Sequence, residues 1–466
     1  MKRRTLLCLL PLLSLVGSNS RIYAQATYHH YVAIDMGTLG GPSSEGCVPD
    51  CRYLNNHSAV IFRSETTNPD PFASNSSNVF DMGNLEYAVI WQNATAIQLN
   101  PLVPGYNTFA QWVSDSGLIA GLAENGQIDP LTTSPETVAT LWYQGFAWTL
   151  GTLGGASSAA QAVNNVGQVV GAAATAVADP NADGFGNYYV PWWSVATEQH
   201  AFLWQAGFLF DLGTLGGTDS VAVAINQSGQ VAGYSLLNTP VNASTGIPAM
   251  HAFLWQNGTM SDLGSLGGTV SQAALINDSG QVIGTSTLAG DQTTHSFIWQ
   301  NGTMTDMGTL GGDNSTAIWI NNAGQAVGYA QLAGDATSHA FLWQNGTMTD
   351  LGTLTGDACS EAYGVNSQGQ VVGDSGSACG GHPFKRGFLW QPGGAMVDVS
   401  TLYPPLANGW TLGGICCIND LGEMLGTGTL PNGDYHAVFL VPCDSNHPNV
   451  AGCDYTTVTP SAVAQQ

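Results

Sequence analysis

A phrase near the middle of this chain, HAFLWQNGTMTDLGTL at 339–354, recurs with few changes from His200, His251 and His295. Short near-copies cannot each bury an independent core, so the chain must fold as units that shield one another. Each unit has four segments. The first ends in Asn, as in SVAVAIN (220–226), QAALIN (272–277), TAIWIN (316–321) and EAYGVN (361–366). The second follows a Gly turn, as in GQVAGYS (229–235) and GQVIGTS (280–286). The third is HAFLWQ and the fourth TMTDLGTL. The first three, in stretches such as VAVAI, QVV and FLW, are apolar on both sides, as expected for strands of sheets sandwiched between neighbours.

Asn-Gly at 257–258, 301–302 and 345–346 separates the third and fourth segments. This dipeptide between β-formers is the signature of a type I′ hairpin, which needs positive φ at both central residues. The Asn-Gly-Thr triplets also match the glycosylation sequon, but their repeated place in a tight turn gives them a structural job. The equivalent fourth-segment residues Leu212, Leu263, Met307 and Leu351 are 51, 44 and 44 residues apart. That period fits a four-stranded propeller blade and is too long for a β-solenoid coil.

Weaker copies extend the array. The first-to-second element recurs at YLNNHSAVIF (53–62), WVSDSGLIAG (112–121), AVNNVGQVVG (162–171) and CINDLGEMLG (417–426), giving eight in all; third strands recur at 87–92, 138–143, 386–391 and 436–441. The segment YVAIDMGTLGG (31–41) is a fourth strand without its first three, and HAVFLV (436–441) a third without its fourth. The N-terminal strand is therefore expected to complete the last blade, hiding the edges an open array would expose. The expected fold is all-β: a propeller of eight four-stranded antiparallel blades, with seven blades plus a divergent N-terminal sheet as the alternative.

The reiterated HAFLW and its DLGTLGG partner resemble the HAF-repeat family of bacterial extracellular proteins over residues 31–441, most closely in the middle four units. The resemblance implies an exported repeat protein, usually bacterial, and brings no catalytic residues with it.

Residues 1–26 carry a basic start, an apolar run and an Ala24-Gln25-Ala26 pattern, the parts of a secretory signal peptide. The propeller is assigned to 27–442 and a tail with a disulfide loop to 443–466. No later stretch is apolar for long enough to span a membrane, so a secreted or cell-surface protein is expected. Of eight Lys and Arg residues, Lys2, Arg3, Arg4 and Arg21 lie in the signal segment, leaving four cations against 32 carboxylates. Nucleic acid and anionic lipid are poor partners for such a surface. An oxidising compartment turns the remaining cysteines toward disulfides. Cys359 and Cys379 flank the turn Ser367-Gln368-Gly369, and Cys47–Cys51 and Cys443–Cys453 are the simplest short loops, while the vicinal Cys416-Cys417 stays open.

Residues copied into every unit, the His that opens the third strand and the Asp of the fourth, are expected to tie each blade together rather than to act once in an active site. Function belongs where copies differ. The largest departure is the insertion at 173–199, which contains Asp179, Asn181, Asp183, Phe185 and Asn187 in the D-x-N-x-D-G order of a calcium loop. Alternating oxygen ligands around Gly184 can converge on a hard cation, with the Phe185 carbonyl adding another. Val190 stands where an EF-hand would have its bidentate Glu, so this is a bare loop that borrows a ligand, with Glu198 a candidate. Tyr188, Tyr189, Trp192 and Trp193 follow and offer flat faces to a ligand. This loop is placed on the face that carries the crossovers between blades.

The functional expectation is a secreted, non-catalytic binding or surface-scaffold protein. It would contact a glycan or extracellular protein through variable loops, with calcium ordering one of them. The alternatives are an extracellular structural protein that assembles with itself and a propeller enzyme of glycosidase or lyase type.

Overall fold

A computed structural model describes residues 26–46, 52–73, 83–131, 133–179, 196–379, 386–404 and 409–458. In it the repeat is a β-propeller of four-stranded antiparallel blades. Six four-stranded sheets are separate, and an eight-stranded one consists of two more such meanders joined by a single parallel bridge from Met250 to Val270. A representative unit runs through strands Gly267–Ile276, Val282–Leu288, Thr294–Gln300 and Thr303–Gly308. Its apolar residues are buried on both sides, and the core is continuous from unit to unit, with Phe253, Phe297 and Phe341 fully buried in it.

Local chemistry sets the strand geometry. Asn301 and Gly302 both take positive φ, 51° and 83°, so the third strand turns directly into the fourth. The first strand carries a register shift between Ala273 and Leu275. A Cβ on the facing Gly284 would lie 1.9 Å from the Gln272 carbonyl oxygen, which is why the second strand reads Gln-Val-x-Gly.

Units are joined by two sets of directional bonds. At one end of the sheets, the N–H of Ala252 in one unit donates to Ser271 Oγ in the next (2.9 Å), and that hydroxyl donates back to the Gly264 carbonyl (2.6 Å). Ser158, Ser220, Ser315 and Ser360 repeat this clasp. At the other end, the Asn closing each first strand reaches the following unit. Asn277 Oδ1 accepts the N–H groups of Ser279 and Gln281, while its Nδ2 donates to Gln281 Oε1 and, across the junction, to the Asn321 carbonyl at 3.0 Å. The same cross-unit bond runs from Asn164 to Asn226, Asn226 to Asn277, Asn321 to Asn366, Asn366 to Asn419, Asn419 to Asn55 and Asn55 to Ser114. Where Ser114 replaces the Asn, the N–H of Ser116 spans the gap to Asn165 Oδ1.

The ring closes as the sequence suggests. Strand Tyr31–Asp35 pairs antiparallel with Tyr435–Pro442. This junction uses the same clasp, with Ser44 accepting from the Ala437 N–H and donating to the Gly37 carbonyl. The tail reinforces it: Tyr28–His29 pairs with Thr457–Val458, and Cys443 is bonded to Cys453. His447 sits between Asp444 and Glu423, whose Oε1 also accepts from Ser58 in the first unit.

Cys359–Cys379 forms across the open end of its hairpin. Cys47 and Cys51 lie outside the described residues. The vicinal cysteines do not pair with each other: Cys416 is disulfide-bonded, whereas Cys417 keeps its thiol, pushed up to about 12 by burial.

Replacing Asn277 by Ala would strand the Asn321 carbonyl and two turn N–H groups at a buried junction. Urea unfolding of Asn277→Ala should show a loss of about 1–3 kcal/mol per group left without a partner. The exposed strand-four change Thr303→Ala should lose far less.

Candidate functional site

The turns that follow the closing asparagines converge on the propeller axis. Their next residues form a second ring: the N–H of Gln227 donates to Asp278 Oδ1, Asp278 to Asn322 Oδ1, Ser367 to Asp420 Oδ1, Asp420 to Asn56 Oδ1 and Asn56 to Asp115 Oδ1, at 2.8–3.0 Å. These residues rim a cavity of about 230 Å³. Trp112 and Trp319, from well-separated units, stack at its floor with ring centroids 6.2 Å apart and planes 24° apart. Arg52 reaches into it and pairs with Asp115. The cup thus offers amides, three carboxylates and one guanidinium above an aromatic floor, with one carboxylate oxygen of each acid already committed to a backbone N–H.

The opposite end of the sheets carries the crossovers and the loops between second and third strands. There the repeated His and Asp meet within each unit. Nδ1 of His200, His251, His295 and His339 lies 2.8–2.9 Å from a carboxylate oxygen of Asp211, Asp262, Asp306 and Asp350, and His436 makes the same contact with Asp35 across the ring closure at 2.8 Å. In one unit Arg386 takes the histidine's place and bonds Asp398 at 3.0 Å. An arginine that fills the role shows that the position requires a donor to the Asp, not imidazole chemistry. A cavity of about 220 Å³ on this face is lined by hydroxyls and an amide, including Ser244, Thr245, Gln272, Thr285, Thr287 and Thr294.

Asp179 follows strand Val169–Ala178, and its N–H donates to the Ala196 carbonyl at 3.2 Å. Asn181, Asp183, Phe185, Asn187, Tyr188, Tyr189, Trp192 and Trp193 lie outside the described residues. Asp219, whose Oδ1 accepts from the Gln199 N–H, is fully buried, and burial first, with the nearby charges of Asp179 and Glu198 adding to it, pushes its carboxyl up to about 6. Among the described residues, no three His, Cys, Asp or Glu side chains are grouped to hold a metal ion.

Sequence reasoning missed the axial cup and the burial and coupling of two acids. The axial cup draws two to four residues from each unit, and only the recurring polar residue after each Asn hinted at it. The first two units also bury acids that the regular repeats lack. Glu86 and Glu124 are each raised to about 7, first by burial. Asn107 links them, its Oδ1 accepting from the Glu86 N–H and its own N–H donating to Glu124 Oε2, both at 2.8 Å, while Arg63 lies 3.5 Å from Glu86.

No protein-family model matches the sequence, and no curated protein matches it. Among solved structures the chain is similar to the β-propeller domain of the Trilobed protease from Pyrococcus furiosus, at 9% identity over 79% of this chain and 98% of that one, with a TM-score of 0.43. It is also similar to Porphyromonas gingivalis dipeptidyl peptidase 4 (10% identity, 85% and 57% covered, TM-score 0.47) and to Trypanosoma rangeli sialidase (9%, 89% and 55%, TM-score 0.31). The chain therefore spans little more than half the length of the last two. These are likenesses of chain path at low scores, and no activity passes from them to this protein.

The buried acids fix the direction of the pH response. Glu86, Glu124 and Asp219 hold protons in the fold that the unfolded chain releases at lower pH, so their contribution is full below the ordinary carboxylate value and is lost as pH rises through about 6–7. Asp211, Asp262 and Asp350, lowered in spite of partial burial by bonds from their histidines and a glycine N–H, contribute in the opposite sense and are lost only in strong acid. Thermal unfolding should show its highest Tm near pH 5 and a decline toward pH 8. Glu124→Gln, which can still accept from Asn107, should flatten that decline.

Proposed function

We propose that this is an exported, non-catalytic binding protein: an eight-bladed disc that holds a glycan or an extracellular protein partner against its variable loops and polar cups, with calcium ordering the loop at 179–187. The observation that carries this reading is the fate of the repeated chemical groups. Every histidine opening a third strand is spent on a carboxylate of its own blade, and every closing asparagine on a neighbouring carbonyl. The two cavities offer amides and hydroxyls, which suit recognition of a polar ligand. Export is supported by the Cys359–Cys379 and Cys443–Cys453 bonds. No helix among the described residues is long and apolar enough to cross a membrane.

Calcium is supported by the D-x-N-x-D-G order and by the negative field at the loop's base, where Asp179 and Glu198 together oppose ionisation of Asp219. A divalent cation there would relieve that repulsion. Thermal unfolding of the secreted chain in calcium and in chelator tests this. Binding to the folded state alone adds about 2.7 kcal/mol at a hundredfold excess over Kd, so Tm should rise with calcium in the wild type and not in Asp183→Ala. An equal Tm in calcium and chelator for the wild type would remove calcium from the reading.

A further inference from the structure

The outermost strand of a blade presents alternate residues to solvent, and the repeat fills those positions with small hydroxyl residues. Thr259 and Ser261, Thr303 and Thr305, and Thr347 and Thr349 occupy them in three successive regular units, all exposed. Two other units break this rule. Strand Phe146–Gly151 places Phe146 and Trp148 there, 66% and 45% exposed, and strand Phe208–Gly213 places Phe208 and Phe210, 68% and 51% exposed. The intervening Ala147 and Leu209 turn inward against the core, as Met260 and Met304 do in the regular units. Core packing thus accounts for the inward residues and leaves the outward rings without a structural task.

The rings form one sector of the rim. Phe146 and Trp148 have centroids 6.0 Å apart and Phe208 and Phe210 6.4 Å apart. The half-exposed Tyr143 is the cross-strand partner of Phe146, and the two outer strands lie beside each other on adjacent units. Clustered exposed aromatics at this density mark a contact surface, since water is a poor neighbour for them.

We propose that this aromatic rim of the second and third units is a binding face for an uncharged polysaccharide. The proposal rests on the reading of the protein as an extracellular binding module and adds a second face to the loops and cups. Charge selects the ligand. The chain carries a formal net charge of −24, so a second copy or an anionic polymer is repelled on approach. The described arginines Arg52, Arg63 and Arg386 are all engaged with carboxylates elsewhere and supply no counter-charge to the rim. A neutral sugar chain meets no such barrier. The axial C–H faces of its rings stack on aromatic side chains, while its hydroxyls stay in water or reach Gln144, Thr149 and Gln205 beside them. Two pairs of rings on adjacent blades suit an extended polymer laid along the rim.

Electrophoresis of the secreted chain through gels containing hydroxyethylcellulose, xyloglucan or galactomannan tests the proposal, with polygalacturonate as the anionic control. The wild type should be retarded by at least one uncharged polymer and not by polygalacturonate. The F146T/W148T/F208T/F210T variant restores the residue type of the regular units and should keep its Tm. Its apparent affinity should fall by about tenfold or more, as when aromatic anchors leave an interface. Should the quadruple variant melt early, W148T and F208T alone should each weaken retardation at unchanged Tm. Undiminished retardation of the variants overturns the rim and leaves the loops and cups as the binding face. A wild type retarded by none of the three polymers overturns the rim proposal and removes the glycan from the general reading. Equal retardation by polygalacturonate overturns the charge argument and with it the ligand class. Self-association of the wild type in sedimentation, lost in the variant and unaccompanied by retardation, overturns it in favour of a second copy.

Discussion

The structure depends on a carboxamide that serves two masters. The asparagine closing each first strand uses Oδ1 to fix its own turn and Nδ2 to grip the carbonyl of the next unit, as Asn277 does with Gln281 and Asn321. Burial of apolar faces such as those around Phe297 drives neighbouring blades together but has no direction, so it cannot by itself choose how one sheet is rotated against the next. Only a group with both donors and an acceptor can hold a turn and a neighbour at once. The serine clasp does the same at the far end of the sheets. Where both are present, two fixed points define the inclination of one blade on the next, and repeating that inclination brings Asn419 to Asn55 and closes the ring.

That economy determines what the surface can do. Once asparagine, serine, histidine and aspartate are spent inside and between blades, the regular units retain little that is reactive. The substitution of Arg386 for histidine is instructive because it preserves the bond to the fourth-strand Asp while abandoning the imidazole. The ring of histidines is therefore a set of braces. Chemistry of recognition falls instead to the hollows the ring creates and to the positions where the pattern lapses.

Much of the fold was legible for a physical reason: periodic sequence reports what every copy must do. The Asn-Gly turns, the apolar strands, the disulfide at 359–379 and the closing strand at 31–35 all follow from constraints that recur or complete a count. The axial cup was illegible because it is assembled from residues such as Asp115, Asp278 and Asp420, each innocuous in its own turn and brought together only by closure of the ring. The coupling of Glu86 and Glu124 escaped for another reason. They stand in the divergent early units, where Asn107 rather than sequence proximity couples them. Cys416 and Cys417 show the limit of counting, since adjacency in sequence places them on successive positions of one strand, where one is bonded elsewhere and the other keeps its thiol.

The lapses are not spread evenly. Glu86 and Glu124 lie in the first two units, the exposed rings in the second and third, and the long insertion in the third, whereas the next three units are close copies of one another. Repetition explains how this polarity is tolerated. A blade that keeps its clasp and its closing amide remains in register whatever its outer strand or loops carry, because the bonds that place it lie near the axis and between strands rather than on the rim. The second unit tests the point: it has Ser114 for the closing Asn and aromatic residues on its rim, yet Ser116 reaches Asn165 and Asn55 reaches Ser114, so the ring passes through it unbroken. Divergence in one sector thus costs the scaffold little, and a disc whose regular arc supplies rigidity can devote the remaining arc to a partner.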